Sequence, residues 1–366
     1  MLALVSAFST GLIFFFRGRD FRSAVWGDDE LLVEHAINRK PPFGRLHFID
    51  PFGFLDPFAG YLFVIIRVTT RVLLFGGTSN FPQLAVWTAV IAWTMAATIV
   101  ALIIGRCTRP LLGFMAAMTI AIMPFSNLVM LTQLNPIYNP FVLALIVVVV
   151  TRQYPKTRVL QSVTYVLFAL VTLTSITTII AFGYLLWLVY VRAKQSQIIE
   201  RRLVWVMGGS LILQALSYQP RGRSITLAKF LHELRLSSNA FAPQFVREKI
   251  LEPKSVIENL LLYGIPLLLG VTVFFLVRLG RQSSRRVQVE FAQMFFFLGS
   301  LLLCLLIAGN GWLNSHYLFI PTGLFWIGVI LASDAARHSE NRFRFVPILI
   351  VLFVFLTQLS GTYFVL

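Results

Sequence analysis

Residues 291–308 read FAQMFFFLGSLLLCLLIA, eighteen residues without a charged side chain. A helix needs roughly 20 mostly apolar residues to span the hydrocarbon of a bilayer. The run has no polar face, so it does not read as a surface helix of a water-soluble globule. Arg285 and Arg286 precede it, and the uncharged stretch GNGWLNS follows at 309–315. Runs of this kind recur at 1–16, 82–105, 110–130, 138–151, 159–173, 175–191, 202–218, 256–277, 316–333 and 345–366. With the first, that makes eleven predicted spans and an all-α, polytopic transmembrane helix bundle. The span at 1–16 lacks a basic flank and a small-residue cleavage site, so it is expected to stay as a first helix.

Composition agrees. Only 13% of the 366 residues are charged and 57% are hydrophobic, with a mean hydropathy of +0.79. Soluble domains carry about 25% charged residues. The net charge of +16 does not point to nucleic acid, because the basic residues form no single patch with interleaved aromatics. Cys107 and Cys304 give no disulfide framework.

The basic residues sit in short clusters between apolar runs, and they order the topology. With the N-terminus cytoplasmic, alternate connectors hold Arg106 and Arg109; Arg152, Lys156 and Arg158; Arg192, Lys194, Arg201 and Arg202; Arg278, Arg281, Arg285 and Arg286; and Arg337, Arg342 and Arg344. The short connectors on the other side, near 131–137, 174 and 309–315, hold none. Basic residues in short loops favour the cytoplasmic side, which sets the orientation. The remaining basic residues fall in two long segments, 17–81 and 219–255, and long segments cross largely regardless of charge. The whole chain, 1–366, thus reads as one transmembrane domain with two exoplasmic loops.

The apolar stretch 57–75, PFAGYLFVIIRVTTRVLLF, would reverse every later connector if it crossed. It is therefore predicted to lie along the exoplasmic surface, with Arg67 and Arg71 on one helical face. The first loop also holds Asp28, Asp29 and Glu30 in the sequence VWGDDELLVEHAINRK. These acids serve either as a helix start, capping it and favouring its dipole, or as a carboxylate facing a cavity at the membrane surface. In the second role one of them would take a proton from an acceptor hydroxyl.

The order of these parts carries a resemblance. Trp26, Gly27, Asp28 and Asp29 come first. Pro57, Phe58, Ala59, Gly60, Tyr61 and Leu62 follow, with Arg67 beyond. His316, Tyr317, Leu318, Phe319, Ile320 and Pro321 stand at a late helix mouth. The pattern resembles bacterial membrane glycosyltransferases of the GT-C fold, best over 20–130 and 309–325. His316 stands where that group usually carries Arg. The resemblance implies two membrane-parallel helices in the first exoplasmic loop. It also implies transfer of a sugar from a polyprenyl-phosphate carrier to a glycan or lipid acceptor, on the outer face of a bacterial inner membrane. Matched residue by residue, Asp29 would be the general base, with Asp28 as the second choice.

Other residues fit that chemistry as expectations. A leaving phosphate is held by charge-assisted pairs, and Arg221 and Arg223 follow the seventh span where lipid headgroups lie. The same arginines also suit non-specific contact with membrane lipids. His316 and Tyr317 stand at the mouth where this fold reaches its carrier. Glu30, Tyr61, Gln133 and Asn135 are the candidates for acceptor or sugar hydroxyls; Gln133 and Asn135, with Tyr138 and Asn139, equally suit helix caps beside Pro136 and Pro140. No metal site or certain cofactor is expected: Glu233, Glu248 and Glu252 form no paired motif, and His35 and His47 make no zinc site. A divalent ion held between loops, as some GT-C enzymes use, stays compatible. The rivals are a lipid or polysaccharide transporter or flippase, and a non-catalytic scaffold subunit. A coupled transporter usually keeps a charge at mid-membrane depth, and the spans hold none there.

Overall fold

The computed structural model describes residues 1–19, 81–122, 140–151, 153, 157–172, 183, 201–217, 226–237, 256–310 and 319–363. Among them are eleven helices and no strand. They are α1 (Leu2–Arg19), α2 (Phe81–Cys107), α3 (Pro110–Ile122), α4 (Pro140–Thr151), α5 (Arg158–Thr172) and α6 (Arg201–Ser217). After these come α7 (Leu227–Ser237), α8 (Val256–Arg281), α9 (Arg286–Asn310), α10 (Phe319–Arg337) and α11 (Phe345–Tyr363). Ten of them coincide with apolar runs picked out above. The run at 175–191 and the surface helix expected at 57–75 lie outside the described residues, apart from Gly183. Two helices, within Arg286–Leu305 and Phe319–Arg337, are long and apolar enough to cross a membrane.

α7 lies within the segment 219–255, where the sequence marks a long loop and no helix. Leu227, Phe230, Leu231 and Leu234 recur at helical spacing among Lys229, His232 and Glu233. Thr226 caps the start, accepting from the Lys229 backbone N–H at 3.3 Å. α7 packs against α9.

Local chemistry explains where helices start and stop. Pro82, Pro110, Pro140 and Pro321 all sit in first turns, where a missing N–H costs nothing. Arg106, Arg278, Arg281 and Arg337 sit in last turns, where the helix dipole favours cations. In α4 the run Ile146–Val150 would suit a strand in water, yet it is helical. In apolar surroundings a helix satisfies its own backbone, which overrides side-chain preference. The hydroxyls of Thr94, Thr119, Thr151, Thr164, Ser210 and Thr272 each donate to the carbonyl four residues back. That is where a hydroxyl in an apolar helix finds an acceptor.

The chain divides into two compact units. One comprises Ala7–Ala96 and Asn127–Ser224. In it Phe14 of α1 meets Trp93 of α2 edge to face, with ring centroids 5.5 Å apart. α5 packs against both α4 and α6.

The other comprises Met1–Ser6, Ala97–Ser126 and Ile225–Leu366, and α10 is its centre. α3, α8, α9 and α11 all pack on α10. Of its residues only Phe325, Ser333 and Arg337 escape full burial. A helix apolar all round belongs inside a bundle or a bilayer. Its heart is Trp326, 1% exposed, with Leu269, Val329 and Val354. Rings run from Phe296 through Phe325 and Trp326 to Phe355, with centroids 5.4, 6.0 and 5.6 Å apart.

Small residues let backbones approach. A Cβ on Gly328 would lie 2.8 Å from the Phe296 ring and 3.1 Å from the Ala292 carbonyl. A Cβ on Gly113 would press on the Ala101 carbonyl and the Gly105 backbone of α2, neither of which can swing away. Gly113→Ala should therefore cost about 1–3 kcal/mol through overpacking, more than Gly328→Ala, where a ring can turn. Thermal unfolding of the two variants in detergent checks this order. Equal melting points would show that α2 and α3 do not meet as described.

Candidate functional site

The residues that the sequence singles out for transfer chemistry lie outside the described residues. These are Asp28, Asp29, Glu30, Tyr61, Gln133, Asn135, Arg221, Arg223, His316 and Tyr317. What is described are the helices that border them. Arg221 and Arg223 lead into α7, and His316 and Tyr317 lead into α10. On α7, Glu233 is buried. Among the described residues, no group of three or more His, Cys, Asp and Glu side chains could hold a metal ion.

The polar cluster that is described lies at the other end of the α10 unit. Three basic connectors meet there: 106–109 between α2 and α3, 278–286 between α8 and α9, and 337–344 between α10 and α11. Gln288 at the start of α9 donates to the Cys107 carbonyl at 3.0 Å. A Cβ on Gly280 at the end of α8 would touch Val289 and Ala335. Gln293, with its amide oxygen turned toward α8, accepts from Arg281. All three connectors had been assigned to one side of the membrane from charge alone, and the fold gathers them at one end.

The centre of this end is Asp334. It lies in the last turn of α10, 4% exposed, at the negative end of the helix dipole. A carboxylate gains nothing from the helix there and is cut off from water. Arg109, reaching across from the α2–α3 turn, brings Nε to 3.9 Å from Asp334 Oδ1. Among the described residues, Asp334 Oδ2 and Gln288 Oε1 are buried without a hydrogen-bond partner. Arg109 Nη2 also donates to His338 Nε2 at 3.2 Å, and His338 Nδ1 donates to the Asp334 carbonyl at 2.8 Å.

The following turn is tied down as well. Arg344 donates to the Ser339 carbonyl at 2.5 Å and stacks its guanidinium over Phe345, 5.0 Å from the ring centroid. The Asn341 backbone N–H donates to Ser339 Oγ at 3.2 Å.

Sequence reasoning counted Arg109 as one more connector charge and placed Asp334 just beyond its span. The available signal was an acid four residues before a histidine at a helix end, which puts both on one face. Compared with known protein families, curated proteins and solved structures, the chain matches none.

Proposed function

We propose that the chain is a polytopic membrane glycosyltransferase of GT-C type. It moves a sugar from a polyprenyl-phosphate carrier to a glycan or lipid acceptor on the exoplasmic face of a bacterial inner membrane. The observation that carries this is the order of motifs along the first long loop: Trp26-Gly27-Asp28-Asp29, then Pro57 through Leu62, then Arg67.

The helices support the membrane part. Large apolar side chains stand exposed in stripes at helical spacing: Leu4, Phe8, Leu12 and Phe16 on α1; Leu267, Val271 and Phe274 on α8; Leu349, Phe353 and Leu356 on α11. Such faces are costly in water and free of cost in lipid. Among the described residues of α9 and α10, charges stand only near the connector end: Arg286 and Glu290 on one, Asp334 and Arg337 on the other. The absence of a charge at mid-length in these two helices favours an enzyme that works at the membrane surface over an ion-coupled carrier.

The direct test is transfer of radiolabelled sugar from a polyprenyl-phosphate donor by the purified chain in nanodiscs, with the product's anomeric configuration determined. No transfer to any glycan or lipid acceptor, together with donor translocation across the bilayer, would favour the transporter. The orientation has its own test. Ser284 is exposed in the α8–α9 connector. With Cys107 and Cys304 replaced by Ser, Ser284→Cys should resist a membrane-impermeant maleimide on intact cells and react after permeabilisation. Labelling of intact cells would put the basic end outside and reverse the topology.

A further inference from the structure

We infer that the outer face of the α8–α11 layer binds an anionic phospholipid at the connector end. Its phosphate sits on Arg278 and Arg342, and its acyl chains run along the apolar stripes of the two helices. α8 and α11 pack on each other, and both pack on α10. Each turns one side to the Trp326 cluster: Leu269 and Val273 from α8, and Val351, Val354 and Phe355 from α11. The opposite sides are exposed. On α8 the exposed stripe is Leu267, Val271 and Phe274, and the next residue at that helical spacing is Arg278, also exposed. On α11 the stripe is Phe345, Leu349, Phe353 and Leu356, and the turn that leads into it carries exposed Arg342. Each stripe thus ends in a cation, and both cations lie at the end where the basic connectors gather.

A cation at the head of an apolar stripe is the complement of a phospholipid, which joins an anionic phosphate to hydrocarbon tails. A guanidinium offers phosphate a fork of donors. Among the described residues, neither the Arg278 nor the Arg342 guanidinium has an ion-pair or hydrogen-bond partner. The α10–α11 turn is ordered around this edge. The Phe343 N–H donates to Asn341 Oδ1 at 2.9 Å, and the Val346 N–H donates to the Phe343 carbonyl at 3.1 Å. These bonds hold Phe343 next to Arg342 at 76% exposure. An aromatic ring fixed beside a cation suits the headgroup layer, where one side of the ring is wet and the other apolar. A soluble phosphate would engage the arginines and leave Phe343 and both stripes bare, whereas one lipid covers all three. This inference stands apart from the transfer reaction, whose lipid-linked donor is proposed at the exoplasmic face.

Native mass spectrometry of the purified chain, titrated with phosphatidylglycerol or phosphatidylcholine in detergent, reads the binding directly. Phosphatidylglycerol should bind about tenfold more tightly, and Arg278→Gln with Arg342→Gln should remove that preference. Arg106→Gln with Arg286→Gln lowers the net charge equally, at exposed positions of the same end on other helices, and should leave the preference in place. No preference in the unaltered chain, or equal loss in the two pairs, would overturn the proposal. Glycerol phosphate, a head without tails, should fail to displace the lipid at equal concentration; displacement would assign the arginines to soluble phosphate instead. Spectra dominated by dimers without bound lipid would give the face to a second copy of the chain and overturn the proposal as well. A measurement on the unaltered chain covers a double variant that does not fold. In vesicles carrying spin-labelled lipid, the immobilised fraction should be larger for phosphatidylglycerol than for phosphatidylcholine, and the excess should vanish at about 1 M salt, where charges are screened within about 3 Å. An excess untouched by salt would refute a headgroup held by Arg278 and Arg342.

Discussion

Asp29→Asn should lower sugar transfer by about 10²–10⁴-fold while leaving donor binding in place, because a positioned general base typically contributes that much. A sugar hydroxyl is a poor nucleophile at neutral pH, and attack on the anomeric carbon needs its proton removed as the bond forms. The base must stay charged until the acceptor arrives, so it belongs close to water. The loop 17–81 is proposed to lie at that boundary. Asparagine keeps the size and removes the basicity, which separates catalysis from packing. Asp28→Asn, measured alongside, should be the milder change. A single base and one in-line displacement invert the anomeric centre. Retention would need a second carboxylate about 5 Å away as nucleophile, and adjacent residues on a helix or turn point in different directions. Wild-type rates in both variants would remove this loop from the chemistry. Full loss in Asp28→Asn alone would exchange the two roles.

The largest effect on stability is expected at Trp326. Truncating a buried Trp to Ala costs about 3–5 kcal/mol in soluble proteins. Part of that is transfer from water, which shrinks when the surroundings are lipid; the rest is lost packing, which does not. Trp326→Ala should therefore fall near the lower end, at about 3 kcal/mol, because Phe325, Phe355, Leu269 and Val354 all lose a partner at once. Trp205 on α6 is 80% exposed and serves as the control; its truncation should stay within about 0.5 kcal/mol. Unfolding followed by near-UV circular dichroism in detergent gives both values. A Trp326 variant as stable as the Trp205 variant would mean that α10 is not held by this cluster.

The helices were legible in the sequence because an apolar run of the right length has few other uses. The uncharged run 291–308 became the body of α9, which extends from Arg286 to Asn310. α7 was missed for a physical reason: Leu227, Phe230, Leu231 and Leu234 carry its period, but Lys229, His232 and Glu233 dilute it until the segment resembles a basic loop. The corner at Asp334 was missed for another. Arg109 and His338 are 229 residues apart, and neither carries any local mark of the other. Charge counting put their connectors on one side of the membrane, but it could not pair them. The residues proposed for transfer, Asp28, Asp29, Arg221, Arg223 and His316, were legible only as residue types in a suggestive order, since a carboxylate that caps a helix and one that catalyses look alike in a sequence.

The enclosure of α10 also bears on how the chain is made. A ribosome delivers α8 and α9 before α10, and α11 after it. Until α11 arrives, Trp326 lacks the ring of Phe355 against it. α10 is thus made with a bulky aromatic face but without its last wall. Val351, Val354 and Phe355 supply that wall, and they are made only after α10 is complete. Nascent chains stalled before residue 345 would therefore hold α10 in a half-built socket, open to capture by chaperones, whereas chains in which residues 345–356 have already been delivered would not.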